Sequence, residues 1–296
     1  MEKLLQVRQL TKYYGKTRGL EELSFDLNPS QIIGLCGPNG SGKTTLFRML
    51  LGLIKPTNGT ITYGKNFKHL STYFGYLPEQ RALYPDITIE ELLTYLGRLK
   101  QMSEQQIEYA IYKWLKFFDL DNQKQHKLET LSKGNQQKVQ FICALIHDPQ
   151  VLILDEPLTG LDSGNVRNFK KVISEFVIQK KAIILSSHQY EELEQFSNHI
   201  ILLKQGREVL SGNLVDLKQK YQKRYVWINR DALIQDVEII GEIDQEVMDN
   251  YVRLTIDHEI NARRVIDDLN QLPSVTYLRK EMISLRDLIF EAHQKP

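Results

Sequence analysis

The chain has 296 residues, 42% hydrophobic and 25% charged, with a formal net charge of +1. That is enough for one large domain or two ordinary ones, and the balanced charge excludes the basic footprint of a nucleic-acid binder. No apolar run approaches the ~18 residues of a membrane-spanning helix, and MEKLLQVRQL lacks the apolar core of a signal peptide.

In chain order, QIIGLC at 31–36 is the first short, β-branched run and reads as a buried strand. CGPNGSGKTTLFRML at 36–50 follows, a glycine-rich loop that opens a helix. Ile89, Leu92, Leu93 and Leu96 form a helical stripe behind the capping box Thr88-x-x-Glu91. Ile107, Ile111, Trp114, Leu115 and Phe118 form another behind Ser103-x-x-Gln106. LSKGNQQKVQF at 131–141 starts a third helix with Ser132 as its cap and Val139, Ile142, Cys143 and Ile146 on its apolar face. VLIL at 151–154 and AIIL at 182–185 are further buried strands, separated by a helix carrying Val166, Phe169, Val172, Ile173 and Phe176. Strands alternating with helices imply an α/β domain with a largely parallel sheet. Cys36 and Cys143 lie in apolar segments without metal-type or CxxC spacing, and read as reduced core thiols of a cytoplasmic protein.

Beyond about residue 215 the pattern changes to RYVWI, VEII and YVRLTI as short strands, a helix near 260–270, and a last helix opened by Ser284 and Asp287. This reads as a small α+β appendage. The basic stretch KQKYQKR at 218–224 reads as a solvated face or, alternatively, as a contact with anionic lipid.

The chemistry concentrates at the strand ends. Gly37-x-x-x-x-Gly42-Lys43-Thr44 has the spacing of a nucleotide phosphate loop. Its backbone from Gly37 through Pro38, Asn39, Gly40, Ser41 and Gly42 to Thr44 and Thr45 can turn N–H groups toward phosphate oxygens. Lys43 adds charge at the terminal phosphates, and the Thr44 hydroxyl can ligate Mg²⁺. Asp155 ends the VLIL strand, where open α/β sheets bind ligands, and can hold Mg²⁺ directly or through water. Adjacent strand residues face opposite ways, so Glu156 is expected to reach an attacking water while Asp155 serves the metal. His188 ends the AIIL strand at the same edge and can hydrogen-bond the γ-phosphate or the water. LSKGN presents a helix N-terminus to an anion.

Phosphate loop, LSKGN, VLILDEP, LTGLD and a strand-end histidine, in that order over residues 1–215, resemble the ATP-binding subunit of a bacterial ABC transporter of the drug, antibiotic or sodium exporter (ABC-2-type) group. The resemblance implies a P-loop NTPase with an ABC-type helical insertion, about 81–145, and an N-terminal antiparallel β region. Residues 216–296 then form the accessory domain. It implies ATP and Mg²⁺ as ligands, and two such subunits, a homodimer, joined head to tail. Ser132, Gly134 and Asn135 would contact the partner's nucleotide, with Lys133 and Asn135 departing from the usual LSGGQ. Asp162 would link the two sites. Tyr14, or else Tyr13, would stack on adenine. The family's metal-touching glutamine falls at Glu79 here, with Gln80 next, so either is the candidate ligand. Residues 79–95, with Tyr84, Pro85 and Ile87, resemble the surface that receives a separately encoded membrane-spanning permease. The subunit would sit at the cytoplasmic face of the membrane. A soluble ATP-dependent regulatory switch is the competing reading. The single phosphate loop and the lack of a long coiled coil argue against translation-associated and chromosome-associated relatives.

Overall fold

The computed structural model describes residues 2–65, 67–80, 83–158, 163–232 and 241–294. The chain divides into two compact units, Met1–Ser211 and Gly212–Pro296. The first carries, in order, β1 (Leu5–Tyr14), β2 (Thr17–Leu27), β3 (Ile32–Cys36), α1 (Lys43–Leu50), β4 (Asn58–Tyr63), α2 (Leu70–Tyr73), β5 (Phe74–Leu77), α3 (Ile89–Leu99), α4 (Glu104–Phe117), α5 (Lys133–Leu145), β6 (Val151–Asp155), α6 (Ser163–Ile178), β7 (Ala182–Ser186), α7 (Tyr190–Phe196), β8 (His199–Lys204) and β9 (Arg207–Asn213), the last ending just past the boundary.

Two sheets share this unit. One is antiparallel, in the order β2-β1-β4, and the other runs β5-β6-β7-β3-β8-β9. Strands β5 to β8 are parallel within the second. The runs expected as strands, in β3, β6 and β7, are buried at every position. A parallel sheet covered on both faces requires this. Parallel alignment also brings the carboxyl ends of β3, β6 and β7 to one edge, where loops can build a site.

Helix α1 lies between the sheets. Its Leu46, Phe47, Met49 and Leu50 join Leu10, Leu20 and Leu23 of the antiparallel sheet and Ile33, Leu35, Ile153 and Ile184 of the parallel one in a single core. Burial of each such side chain is worth about 1.5–3 kcal/mol. The loop before α1 is therefore fixed from behind by the core.

Both capping boxes of the helical insertion form. Thr88 accepts from Glu91 N and Glu91 from Thr88 N, and Ser103 and Gln106 do the same. The expected stripe on α3 is shifted at its end: Leu96 is half-buried and Gly97 is buried. A Cβ on Gly97 would lie 2.6 Å from Ile107, so the glycine marks the close crossing of α3 and α4. Rings then tie the insertion inward, with Phe118–Phe141 centroids at 5.9 Å and Phe141–Phe169 at 5.3 Å. Cys36 and Cys143 are free thiols, each pushed up to about 12 by burial.

The second unit carries α8 (Leu214–Lys220), β10 (Arg224–Asn229), β11 (Glu242–Val247), β12 (Tyr251–Ile256), α9 (Glu259–Leu269), β13 (Leu278–Met282) and α10 (Leu285–Gln294). Its antiparallel sheet runs β11-β12-β10-β13. Val226, Ile228, Leu254 and Ile256 face Ala262, Val265 and Leu269 of α9. The expected strand VEII lies outside the described residues. Ser284 caps α10, accepting from Asp287 N at 3.2 Å. The basic stretch is partly consumed inside this unit: Lys223 pairs with Glu291, and Arg224 with Glu259 at 2.6 Å. Those two cations are not a free surface for lipid.

Candidate functional site

The phosphate loop leaves β3 through three glycines with positive φ: Gly37 at 146°, Gly40 at 76° and Gly42 at 111°. L-side chains rarely adopt such angles. At Gly37 space forbids a side chain as well, because a Cβ would stand 2.2 Å from Leu203 O. Gly37→Ala is thus expected to destabilise the protein by about 3 kcal/mol or more, visible as a lower urea midpoint. An unchanged midpoint would refute the steric argument.

No side chain caps α1, whose N-cap is Gly42. Its first N–H groups therefore remain available to an anion. Lys43 is 7% exposed and donates to Gly37 O at 2.7 Å and Pro38 O at 3.3 Å. Burial lowers its pKa, and the nearby Glu156 and Asp155 oppose that shift.

The loop, the strand ends and β2 enclose one cavity of about 270 Å³. Asn39, Gly40, Ser41, Gly42, Lys43, Thr44 and Thr45 line it, together with Tyr14, Glu79, Asp155, Glu156 and His188. Gly37 and Pro38 are not in its wall; they hold Lys43 from behind. The cavity unites residues from five separate stretches of chain, and Arg18 and Gly19 join them unanticipated. Gly19 has a reason: a Cβ there would lie 2.7 Å from the Tyr14 ring. A glycine inside a strand was the available signal for such a close approach.

Asp155 is paired in register with Ser186 of β7 and accepts from its Oγ at 2.6 Å. Burial raises the Asp155 pKa; the Ser186 bond opposes this, and the Glu79 charge adds to it. Glu156 departs from expectation. It does not alternate to the opposite face of a continuing strand. Its φ is 52°, a left-handed backbone, and its carboxylate enters the same cavity as Asp155. For a non-glycine residue this conformation costs of order 1–3 kcal/mol and recurs at functional sites. The turn is held by Glu156 N donating to Ser186 O, at 3.2 Å, and by His188 N donating to Glu156 Oε2, also 3.2 Å. The His188 ring Nε2 stands 3.3 Å from Glu156 Oε1. That oxygen has no hydrogen bond of good geometry, and neither has the buried Ser41 Oγ. Burial raises the Glu156 pKa, the direction that suits a proton acceptor near neutrality.

The alternatives separate. Tyr14 lines the cavity, whereas the Tyr13 hydroxyl donates to Glu21 at 2.6 Å. Glu79 lines the cavity, whereas Gln80 lines only a neighbouring one of about 220 Å³. Thr44, Asp155 and Glu79 thus offer the hard oxygen donors that Mg²⁺ prefers. Among the described residues no group of three or more His, Cys, Asp or Glu is arranged to hold a metal unaided.

Ser132 caps α5, accepting from Asn135 N at 3.2 Å, and Asn135 Nδ2 donates to Gln123. Lys133 and Gly134 keep N–H groups without intrahelical partners. Ser132, Gly134 and Asn135 are all absent from the wall of this chain's cavity. Asp162 lies outside the described residues.

Comparison with known proteins agrees with this geometry. Residues 20–159 match the family model described as ABC transporter. An ABC transporter ATP-binding protein of Bacillus subtilis, YhaQ, is 36% identical over 292 residues, covering 97% of this chain and 98% of its own. Nod factor export ATP-binding protein I of Cupriavidus metallidurans is 34% identical and covers 72% of each chain. A solved structure of an ATP-binding subunit of an ABC transporter superposes with a TM-score of 0.68 at 29% identity, over 74% of this chain and 93% of that one.

Proposed function

This chain belongs to the ABC transporter family as an ATP-binding protein and ATPase, and on that premise we propose that it powers an ABC-2-type exporter through a separately encoded permease. The observation that carries the site reading is the single cavity joining an uncapped helix N-terminus, Lys43, Asp155, Glu156 and His188. The export reading rests on the name of the Nod factor relative.

In this reading Tyr14 stacks on adenine, and the loop from Gly37 to Thr45 cradles the phosphates with its N–H groups. Lys43 swings from its carbonyl partners to the β- and γ-phosphates. Thr44, Asp155 and Glu79 would hold Mg²⁺, which would supply positive charge to the phosphates. Glu156 accepts a proton from the attacking water, and the His188 N–H fixes the carboxylate that does so. The His188 ring, beside Glu156 Oε1, faces the γ-phosphate. The protein supplies position and charge more than covalent chemistry.

Lys133 and Gly134 present free N–H groups away from this chain's own cavity. They fit the γ-phosphate held by a second copy, so two chains close head to tail on two ATP molecules, with Ser132 and Asn135 beside that phosphate. Permease docking is proposed at the loop after Glu79, at the cytoplasmic face of the membrane. Tyr84 there is 67% exposed. The Pro85 and Ile87 carbonyls accept from Glu129 N and Leu128 N, just ahead of Ser132. Pro85 and Ile87 are thus tied to the residues that precede α5.

Tyr84→Ala with Ile87→Ser is expected to leave ATP affinity within about twofold, since surface changes away from special features stay near ±0.5 kcal/mol. Co-purification with the permease and transport should be lost. Normal assembly and transport by this variant would remove the loop from the docking surface. Absence of any co-purifying membrane protein would favour a soluble ATP-dependent switch.

A further inference from the structure

Two glutamines stand one turn apart on the same side of α5, and each holds the main chain beside one acid of the site. Gln137 Nε2 donates to Pro157 O at 3.0 Å, the carbonyl that follows Glu156. Gln140 Nε2 donates to both Pro78 O and Gln80 O, each at 3.3 Å, the carbonyls that bracket Glu79. Gln140 is 6% exposed and sits between Val139 and Phe141, both buried. An amide in so apolar a setting carries a desolvation cost unless it is bonded. Its orientation is not arbitrary, because two carbonyl acceptors can be served only by the NH₂ end. The residues of this side of α5 also line the cavity next to the nucleotide cavity, and Glu79 and Glu156 form part of the wall of both.

We propose that Gln140 is a positioning residue that presents Glu79 to the nucleotide's cation, with Gln137 doing the same for the Glu156 turn, so that α5 sets the relative placement of the two acids. The α5 N-terminus is the segment offered to the partner's nucleotide, so any shift of α5 on that contact moves both acids of its own site. The clamp rests on the assignment of Glu79 to the metal side of the site given above.

The test is a double-mutant cycle read by ATP binding with and without Mg²⁺, using a fluorescent ATP analogue and the intact chain. Glu79 repels a bare triphosphate and attracts its magnesium complex, so Mg²⁺ strengthens binding in the wild type. Gln140→Met keeps the length and removes both donors. It is expected to reduce the magnesium enhancement by about fivefold or more, a typical coupling between linked ligands, while affinity without Mg²⁺ does not fall. Glu79→Ala should show the same loss, and Gln140→Met added to Glu79→Ala should change nothing further. Should Gln140→Met fail to fold, Gln140→Leu takes its place in the same cycle, since it also removes the donors and adds no charge beside Glu79. If Glu79→Ala abolishes the enhancement and the Gln140 variant leaves it intact, or if the two losses add, the clamp is wrong. If Glu79→Ala itself leaves the enhancement unchanged, the metal-side reading of Glu79 fails and the clamp falls with it.

Discussion

Glu156→Gln is expected to bind ATP about as tightly as the wild type and to hydrolyse it at least about a hundredfold more slowly, the lower range for loss of a general base. The structure supports both halves. Glutamine keeps the shape and can still accept the His188 N–H that now reaches Oε2. The left-handed backbone at residue 156 is held by bonds from its own N–H to Ser186, which the substitution does not touch. Phosphate contacts come from the loop and Lys43, so binding has no reason to fall. What disappears is the basic oxygen beside the His188 ring. Steady-state hydrolysis and nucleotide titration on the same preparation decide it. Hydrolysis within a few-fold of wild type would remove Glu156 from the role of base.

Ser132→Arg is expected to separate binding from turnover in a different way. Ser132 is exposed, and its side chain caps α5 by accepting from Asn135 N. Losing a serine cap costs about 1 kcal/mol, a small drop in melting temperature that Ser132→Ala should share. ATP affinity of the isolated chain should stay within about twofold, because Ser132 is absent from the wall of this chain's cavity. Hydrolysis should fall by at least about a hundredfold, since a long charged side chain blocks the approach of α5 to the partner's γ-phosphate. Ser132→Ala, which lacks the bulk, should retain most activity. A tenfold loss of affinity in the isolated arginine variant, about 1.4 kcal/mol, would place LSKGN in its own chain's pocket.

The sequence was most legible where one physical demand dominates a short stretch. The buried strands IIGLC, VLILD and AIILS had to be apolar throughout, and both capping boxes use side chains three residues apart. The phosphate loop was legible because positive φ and a carbonyl 2.2 Å from an added Cβ demand glycine. Long-range geometry was not. That Glu156 turns back into the cavity depends on bonds to Ser186 and His188, thirty or more residues away. Glu79 and not Gln80 lines the nucleotide cavity, and the carbonyls on either side of Glu79 accept from Gln140, about sixty residues along the chain. In the second unit β11 went unread because EIDQEV is exposed at every position and so lacks apolar alternation. Arg18 lines the cavity in a stretch whose sequence showed no ligand-type pattern.

If the α5 N-terminus of a second copy completes each catalytic site, two inactive variants, Lys43→Ala and Ser132→Arg, should restore steady-state ATP hydrolysis when mixed. Each alone should be inactive, the first for want of a phosphate loop lysine and the second for want of a usable α5 N-terminus. In the mixed dimer, the intact loop of the Ser132→Arg chain faces the intact α5 of the Lys43→Ala chain. An equal mixture should therefore recover about a quarter of the wild-type rate, half the dimers being mixed and each holding one of two sites intact. A mixture no more active than either variant alone would contradict the shared site.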